Sequence, residues 1–448
     1  MRKRWRWPLA GFALGALAGA TVLTVNVVGA SSPGRVAVRA GGFGEILHTP
    51  ALLARAGQPV ELSYDVVCGA LKDEPESRCS PSGSVFVRPV GASGFAKLQL
   101  HEDDGLLSAV VPAAAAKAGF DYYGVMDNGR GRTATLPEAG AEAPQHVWAL
   151  DDWTAVDVGA AHFGRTRLPS SVVRGVSWGR GDAAVGLDSG REQSRIGPSA
   201  FDVAPDGSVV LLDQVNHRLA VVRRGGRTAH VPIAFSGGEG DLAVGADGTV
   251  YVLDSAATPM VRAFTAAGAS IAATPLAEGT ADMIRVGPSG PLVHSYPSEM
   301  WLPTGAGRPP LSPGLQLASA QPFRAAGNGL GVVVRASPSE VKLALVRGDR
   351  VVHAWLLHGE SSFGEVQLAE PYRDGMVVVV RLWNEHHAEF RVLRLGADGV
   401  RQNFDVASAE WAESGSLSRF RLHGSTLYQL RSDPSGIEIA TFEIGGTT

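Results

Sequence analysis

Six short β-rich runs each end near a glycine, at Gly207, Gly248, Gly290, Gly329, Gly375 and Gly424, and the residue five places before each is Asp202, Ala243, Arg285, Arg324, Glu370 and Arg419. If that position faces a common channel, three Arg meet two carboxylates there. Forked guanidinium contacts would then hold a small anion or an acidic side chain. The competing expectation is that these charges pair with one another between repeats or sit in water at the rim. That second expectation, pairing or exposure at the rim, is preferred, because alternation along a strand does not by itself fix which face meets the hole. Under the first expectation Asp202, Arg285, Arg324, Glu370 and Arg419 are the candidates for binding a ligand in the channel, and no residue is assigned a catalytic role.

Metal chemistry needs several Asp, Glu, Asn or His groups converging on one point. The densest cluster is "NEHHAEF" at 384–390, with Glu385, His386, His387 and Glu389. It lacks the spacing of an HExxH helix and falls between expected strands, so polar strand and loop residues are expected rather than ligands. No metal and no cofactor is assigned. The chain has no P-loop and no strand–GxGxxG–helix, which removes the usual signals for nucleotide binding. "RGD" occurs twice, but a tripeptide is a weak signal and the second copy sits in an expected turn. The two cysteines, Cys68 and Cys79, bracket a polar loop and are expected to form one disulfide outside the cytosol.

The elements that must position these residues follow from a repeat. "APDGSVVLLD" at 204–213 matches "GADGTVYVLD" at 245–254, a shift of 41 residues that lays Asp206 on Asp247 and Asp213 on Asp254. The same turn returns as "GPSGPLVHSY", "AGNGLGVVVR", "YRDGMVVVVR" and "RLHGSTLYQL". Spacings of about 40 to 50 residues are those of propeller blades, each a four-stranded sheet. The sixth copy lacks an outer strand, while a spare strand, "SSVVRGVSWG" at 170–179, precedes the first. Pairing the two closes a six-bladed ring and leaves no unprotected sheet edge.

Blade one carries "VAPDG", "VVLLD" and "NHRLAVV", and in these residues the chain resembles the NHL-repeat family. The resemblance implies a six-bladed propeller, gives His217 a structural position in the repeat, and fades beyond blade two, where "ATPMVRAF" stands for "NHRLAVV". Some NHL-like and related propellers are metal-dependent lyases or hydrolases, so the resemblance leaves an enzyme as the alternative function.

Upstream, residues 35–137 hold about seven alternating runs bounded by Gly, Pro and Asp/Ser clusters, the pattern of a β-sandwich. "DNG" at 127–129 suits the positive φ of a two-residue type I′ hairpin turn. "PALLARAGQPVELSYDVV" and "VVPAAAAKAGFDYYGVMDNG" resemble bacterial immunoglobulin-like domains, which implies a binding or spacer module. Residues 138–168 read as a linker, whose Trp148 and Trp153 are expected to pack it onto a neighbouring domain. The fold expected is all-β, with an immunoglobulin-like sandwich followed by the propeller at 169–448.

The chain opens on "MRKRWRW" and about twenty apolar residues ending in Val28-Gly29-Ala30. A basic head and an apolar run before small residues describe an export signal, cleaved before Ser31 or kept as a membrane anchor. Among 448 residues 45% are apolar and 19% charged, with a net charge of -4, which is globular and gives no pull toward nucleic acid. Together these features point to an exported, non-catalytic binding protein of the bacterial envelope. Its partner would be a protein or small ligand outside the cytoplasm, and its only membrane contact the N-terminal segment. The alternative is a metal-dependent hydrolase or lyase with its site in the channel.

Overall fold

The computed structural model describes residues 36–37, 43, 45–48, 50–67, 80–103, 105–137, 139–142, 144–189, 194–198, 200–223, 228–235, 240–255, 259–276, 281–287, 290–295, 300–304, 329–337, 339–347, 350–361, 363–412 and 419–445. The export segment and the Cys68–Cys79 pair lie outside them. No described helix is long and apolar enough to cross a membrane.

Alternation builds the N-terminal unit. In Phe120–Asp127 buried and half-exposed residues take strict turns, as a strand with one face on a core requires. Two sheets share that core. One runs in the order Val36–Ala37, Glu45–His48, Val60–Val67, Leu106–Val111, His101–Asp103, and the other in the order Leu53–Arg55, Gln145–Leu150, Phe120–Asp127, Ser82–Pro89, Ala96–Gln99. Tyr64, Val85, Val111, Phe120 and Val147 meet between them. Burial of this kind contributes about 25 cal/mol per Å² of apolar surface.

Two expectations are corrected here. The hairpin after Phe120–Asp127 does not use a two-residue turn, since its partner strand begins only at Thr133. Asn128 closes a longer loop by accepting from the Arg130 and Arg132 amides, and Gly129 and Gly131 both adopt positive φ. The side chain thus does the work of a backbone turn. Nor are residues 138–168 a linker. Gln145–Leu150 pairs with Phe120–Asp127 and lies parallel to Leu53–Arg55, while Thr154–Asp157 lies parallel to Arg350–His358. The segment is short and polar at first, which hid two strands that bind different sheets. Trp148 joins Leu53, Met283, Leu292, Ala344 and Val346 in an apolar cluster, with Trp153 packed against it. That cluster fastens the sandwich to the sheets that follow.

Those sheets are meanders of consecutive antiparallel strands. The first is Ala200–Val203, Val209–Asp213, Arg218–Val222, Thr228–Pro232, and the second is Gly240–Val244, Val250–Asp254, Met260–Phe264, Ser270–Pro275. The third has Ala281–Gly287, Gly290–Ser295 and Met300–Pro303 described. The fourth runs Gly329–Ser337, Glu340–Arg347, Arg350–His358 with Thr154–Asp157 at its edge, and the fifth Phe363–Tyr372, Gly375–Trp383, Ala388–Gly396, Gly399–Ala407. The sixth is Phe420–His423, Thr426–Asp433, Gly436–Glu443, followed outward by Ser171–Trp178 and Ala184–Val185. Apolar faces lock successive sheets, for example Leu212 and Leu219 on Leu242 and Val252, and Leu211 and Ala220 on Tyr428 and Ile439. The first strands of the first and second, second and third, fifth and sixth, and sixth and first sheets are neighbours. This is a propeller-like arrangement.

The sixth sheet joins the two ends of this region. Ser171–Trp178 lies antiparallel to Gly436–Glu443, with Val176 opposite Ile437 and Ser177 opposite Gly436, and Ser171 Oγ meets Thr441 Oγ1 at 2.7 Å. A Cβ at Gly436 would lie 2.1 Å from the Val176 carbonyl oxygen. Gly436→Val is therefore expected to prise this pair of strands apart and to cost about 1–3 kcal/mol, read as a lower urea midpoint. An unchanged midpoint would mean that the two strands are not held in this register.

Candidate functional site

The channel candidates sit where their strands place them, and the carboxylates of Asp202 and of Asp241 are each bound to backbone amides of two sheets. Asp202, on Ala200–Val203, is buried. It accepts from the Val203 amide at 2.8 Å and, across to the second sheet, from the Val244 amide at 2.8 Å. Asp241, on Gly240–Val244, repeats the device one sheet on. It accepts from the Leu242 amide at 2.9 Å and from the Ile284 amide of the third sheet at 3.0 Å. Each carboxylate thus stitches its own strand to the first strand of the next sheet.

Two guanidinium groups complete the set. Arg285 Nη1 donates to Asp241 at 2.8 Å. Arg421, from Phe420–His423, lies 3.5 Å from Asp202 and 3.6 Å from Asp241. Glu370 is buried on the fifth sheet and adds a negative field at Arg421. Burial, followed by the like charge of Arg285, pulls the Arg421 guanidinium down to about 10, while Asp202, Asp241 and Glu370 pull the other way. It remains a cation at neutral pH. Asp202, Arg285 and Glu370 therefore converge with Asp241 and Arg421, which the sequence reading missed. Arg419 is instead engaged with Glu410 at 2.9 Å, which also receives Arg381 at 3.3 Å. Arg324 lies outside the described residues.

The repeat's own Asp residues are structural anchors. Asp213 is fully buried and accepts from the Gly186 amide, Asn216 Nδ2 and Arg218 Nε at 2.8–2.9 Å. Asp254 takes Arg262 Nε at 3.0 Å. His217 occupies the left-handed region at φ 50°, and Nδ1 of its ring meets the Phe235 carbonyl oxygen at 3.2 Å. In "NEHHAEF", Asn384 Oδ1 accepts from the His386 and His387 amides, and Glu389 accepts from the Gly164 amide at 2.6 Å. Among the described residues no three His, Cys, Asp or Glu side chains group as metal ligands do.

A hollow of about 750 Å³ opens beside these anchors, at the seam of the sixth and first sheets. Trp178, Arg180, Asp188, Gln214, Asn216 and His217 line it. Gln214 is buried, and its Oε1 has no hydrogen-bond partner. An orphaned buried carbonyl of this kind costs about 1–3 kcal/mol.

No protein-family model matches the chain, and no curated protein matches it. Among solved structures it is similar to hydrazine synthase of Kuenenia stuttgartiensis, at 15% identity over 52% of this chain and 72% of that one, with a TM-score of 0.31. It is similar to selenomethionine-substituted virginiamycin B lyase from Staphylococcus aureus, at 11% identity over 55% of this chain and 95% of that one, with a TM-score of 0.35. It is also similar to the Dos1 propeller, at 10% identity over 59% of this chain and 83% of that one, with a TM-score of 0.30. Likenesses this distant carry no argument about chemistry, which has to come from the chain's own residues.

Proposed function

We propose that the chain is an exported, non-catalytic binding protein of the bacterial envelope. In this reading an immunoglobulin-like sandwich precedes six NHL-like blades closed into a ring, and the ligand is taken at the seam hollow rather than on the axis. The observation that carries it is the engagement of the Asp202 and Asp241 carboxylates. Asp202 and Asp241 give their oxygens to backbone amides of two sheets and to Arg285 and Arg421. Groups spent in this way hold sheets together and have little left to bind a cation or activate water. The seam hollow offers a polar and aromatic lining. A small polar ligand that accepts from Arg180 and packs against Trp178 suits it.

The test is a thermal-shift panel of small sugars, amino sugars and short peptides against the full chain, beside Gln214→Leu and Arg180→Ala. A ligand that stabilises the native chain and fails with both variants supports the reading, since a ligand that binds only the folded state raises its melting point. Chelation is expected to leave the melt unchanged. Stoichiometric calcium or zinc, lost together with stability and with a hydrolase or lyase activity, would overturn it in favour of metal-dependent catalysis.

A further inference from the structure

A second hollow, of about 500 Å³, lies between the sandwich and the fourth sheet. The sandwich contributes Arg55 and Glu61, the fourth sheet Glu340, Lys342 and Leu356, and the crossing segment Trp153. Two charges of each sign thus face one cleft. Among the described residues, none of the four makes an ion pair or a side-chain hydrogen bond. Opposite charges that share a cleft without closing on one another leave their hydrogen-bonding capacity for something placed between them. Lys342 is half-buried, and its ammonium is pulled below the usual lysine value by burial, opposed by Glu340 and reinforced by Arg55. An anion beside it would relieve that penalty.

A bare anion would meet Glu61 and Glu340, and a bare cation would meet Arg55 and Lys342. A ligand carrying both charges a few ångströms apart meets neither obstacle, and Trp153, Leu356 and Pro59 supply an apolar wall for the rest of it. We infer that this interdomain cleft binds a small zwitterion, an apolar α-amino acid or short peptide, with its carboxylate toward Arg55 and Lys342 and its ammonium toward Glu61 and Glu340. The volume is in the range of small-molecule sites. The apolar cluster of Leu53, Trp148, Met283, Leu292, Ala344 and Val346 fastens the two units beneath it, so the cleft is preformed and binding needs no closure.

The experiment is calorimetric titration of the full chain with leucine, leucinamide, N-acetyl-leucine and leucyl-leucine. Leucine or the dipeptide is expected to bind, and each analogue lacking one charge to bind about ten- to a hundredfold more weakly. Lys342→Met and Glu340→Gln are expected to weaken leucine by the same factor with nearly unchanged melts, because neither side chain makes an ion pair or a side-chain hydrogen bond among the described residues. Gln214→Leu, at the distant seam, is expected to leave leucine binding intact, which separates this cleft from the seam site. Equal binding of leucine and N-acetyl-leucine would replace the zwitterion by a plain anion and overturn the inference. No binding of leucine or the dipeptide at millimolar concentration, or binding that survives Lys342→Met, would also overturn it.

Discussion

Asp241→Ala is expected to lower the unfolding free energy by about 3–5 kcal/mol, the cost of removing one partner from a buried ion pair. Its carboxylate receives the Leu242 and Ile284 amides and Arg285, with Arg421 at 3.6 Å. Truncation leaves two buried amides without an acceptor and two cations facing a weaker negative field. Arg421→Met is expected to cost less. The Asp202 and Asp241 carboxylates keep their backbone amides, and the substitution also removes a guanidinium whose burial already draws it down to about 10. The burial penalty of the ion and its attraction to the carboxylates offset each other, as they often do in interiors. Guanidinium chloride midpoints of the two variants decide the matter. A loss below 1 kcal/mol for Asp241→Ala, or a larger loss for Arg421→Met, would show that the carboxylate does not join the second and third sheets.

Asp241 and Arg421, which sequence reading missed, show where alignment on turns fails. Counting five residues back from each glycine lands on Ala243 and Arg419, whereas Asp241 and Arg421 sit two residues away, Asp241 on the strand of Ala243 and Arg421 on the strand that begins just after Arg419. A period of two makes i and i+2 equivalent in direction, so for Asp241 the right face was legible but not the right rung. The distance from strand to turn varies between sheets, and one strand's sequence does not reveal it. Asp213 and Asp254 were found because both position and type recur, each an acid at the end of a second strand that takes an Arg from the third. The pairing of Ser171–Trp178 with Gly436–Glu443 was legible for a different reason, since a missing strand at one end and a spare one at the other admit few solutions. Thr154–Asp157 was not legible. It adds a parallel strand to the edge of a sheet already accounted for, and nothing in its four residues names that partner.

Acidification is expected to destabilise the chain through His48 in the sandwich core. The ring is buried and stacked on Tyr64 with centroids 4.2 Å apart. One ring nitrogen, Nδ1, lies 2.7 Å from the Ser63 carbonyl oxygen, which fixes the hydrogen on that nitrogen. Nε2 is then an acceptor for the Tyr122 hydroxyl at 2.8 Å. A second proton would set a donor against that hydroxyl and place a cation among aromatic rings. Burial accordingly pulls the His48 imidazole down to about 4, against a smaller upward pull from its bond to Ser63, whereas an unfolded chain has it near 6.5. Between those values the unfolded state binds a proton that the folded state does not, so stability rises with pH across the window and is lost as pH falls through it. The shift corresponds to about 3 kcal/mol at about 1.4 kcal/mol per pH unit. Half-buried His230 is also lowered, by burial and by Arg218, and contributes with the same sign. The comparison that isolates His48 is therefore between the native chain and His48→Gln, whose amide can donate to Ser63 and accept from Tyr122. Unfolding free energies from urea titrations should fall between pH 7 and pH 4.5 for the native chain, and by about 2 kcal/mol less for the variant. Parallel pH profiles for the two would mean that the imidazole takes up its proton within the fold, and that the sandwich core admits the charge its packing argues against.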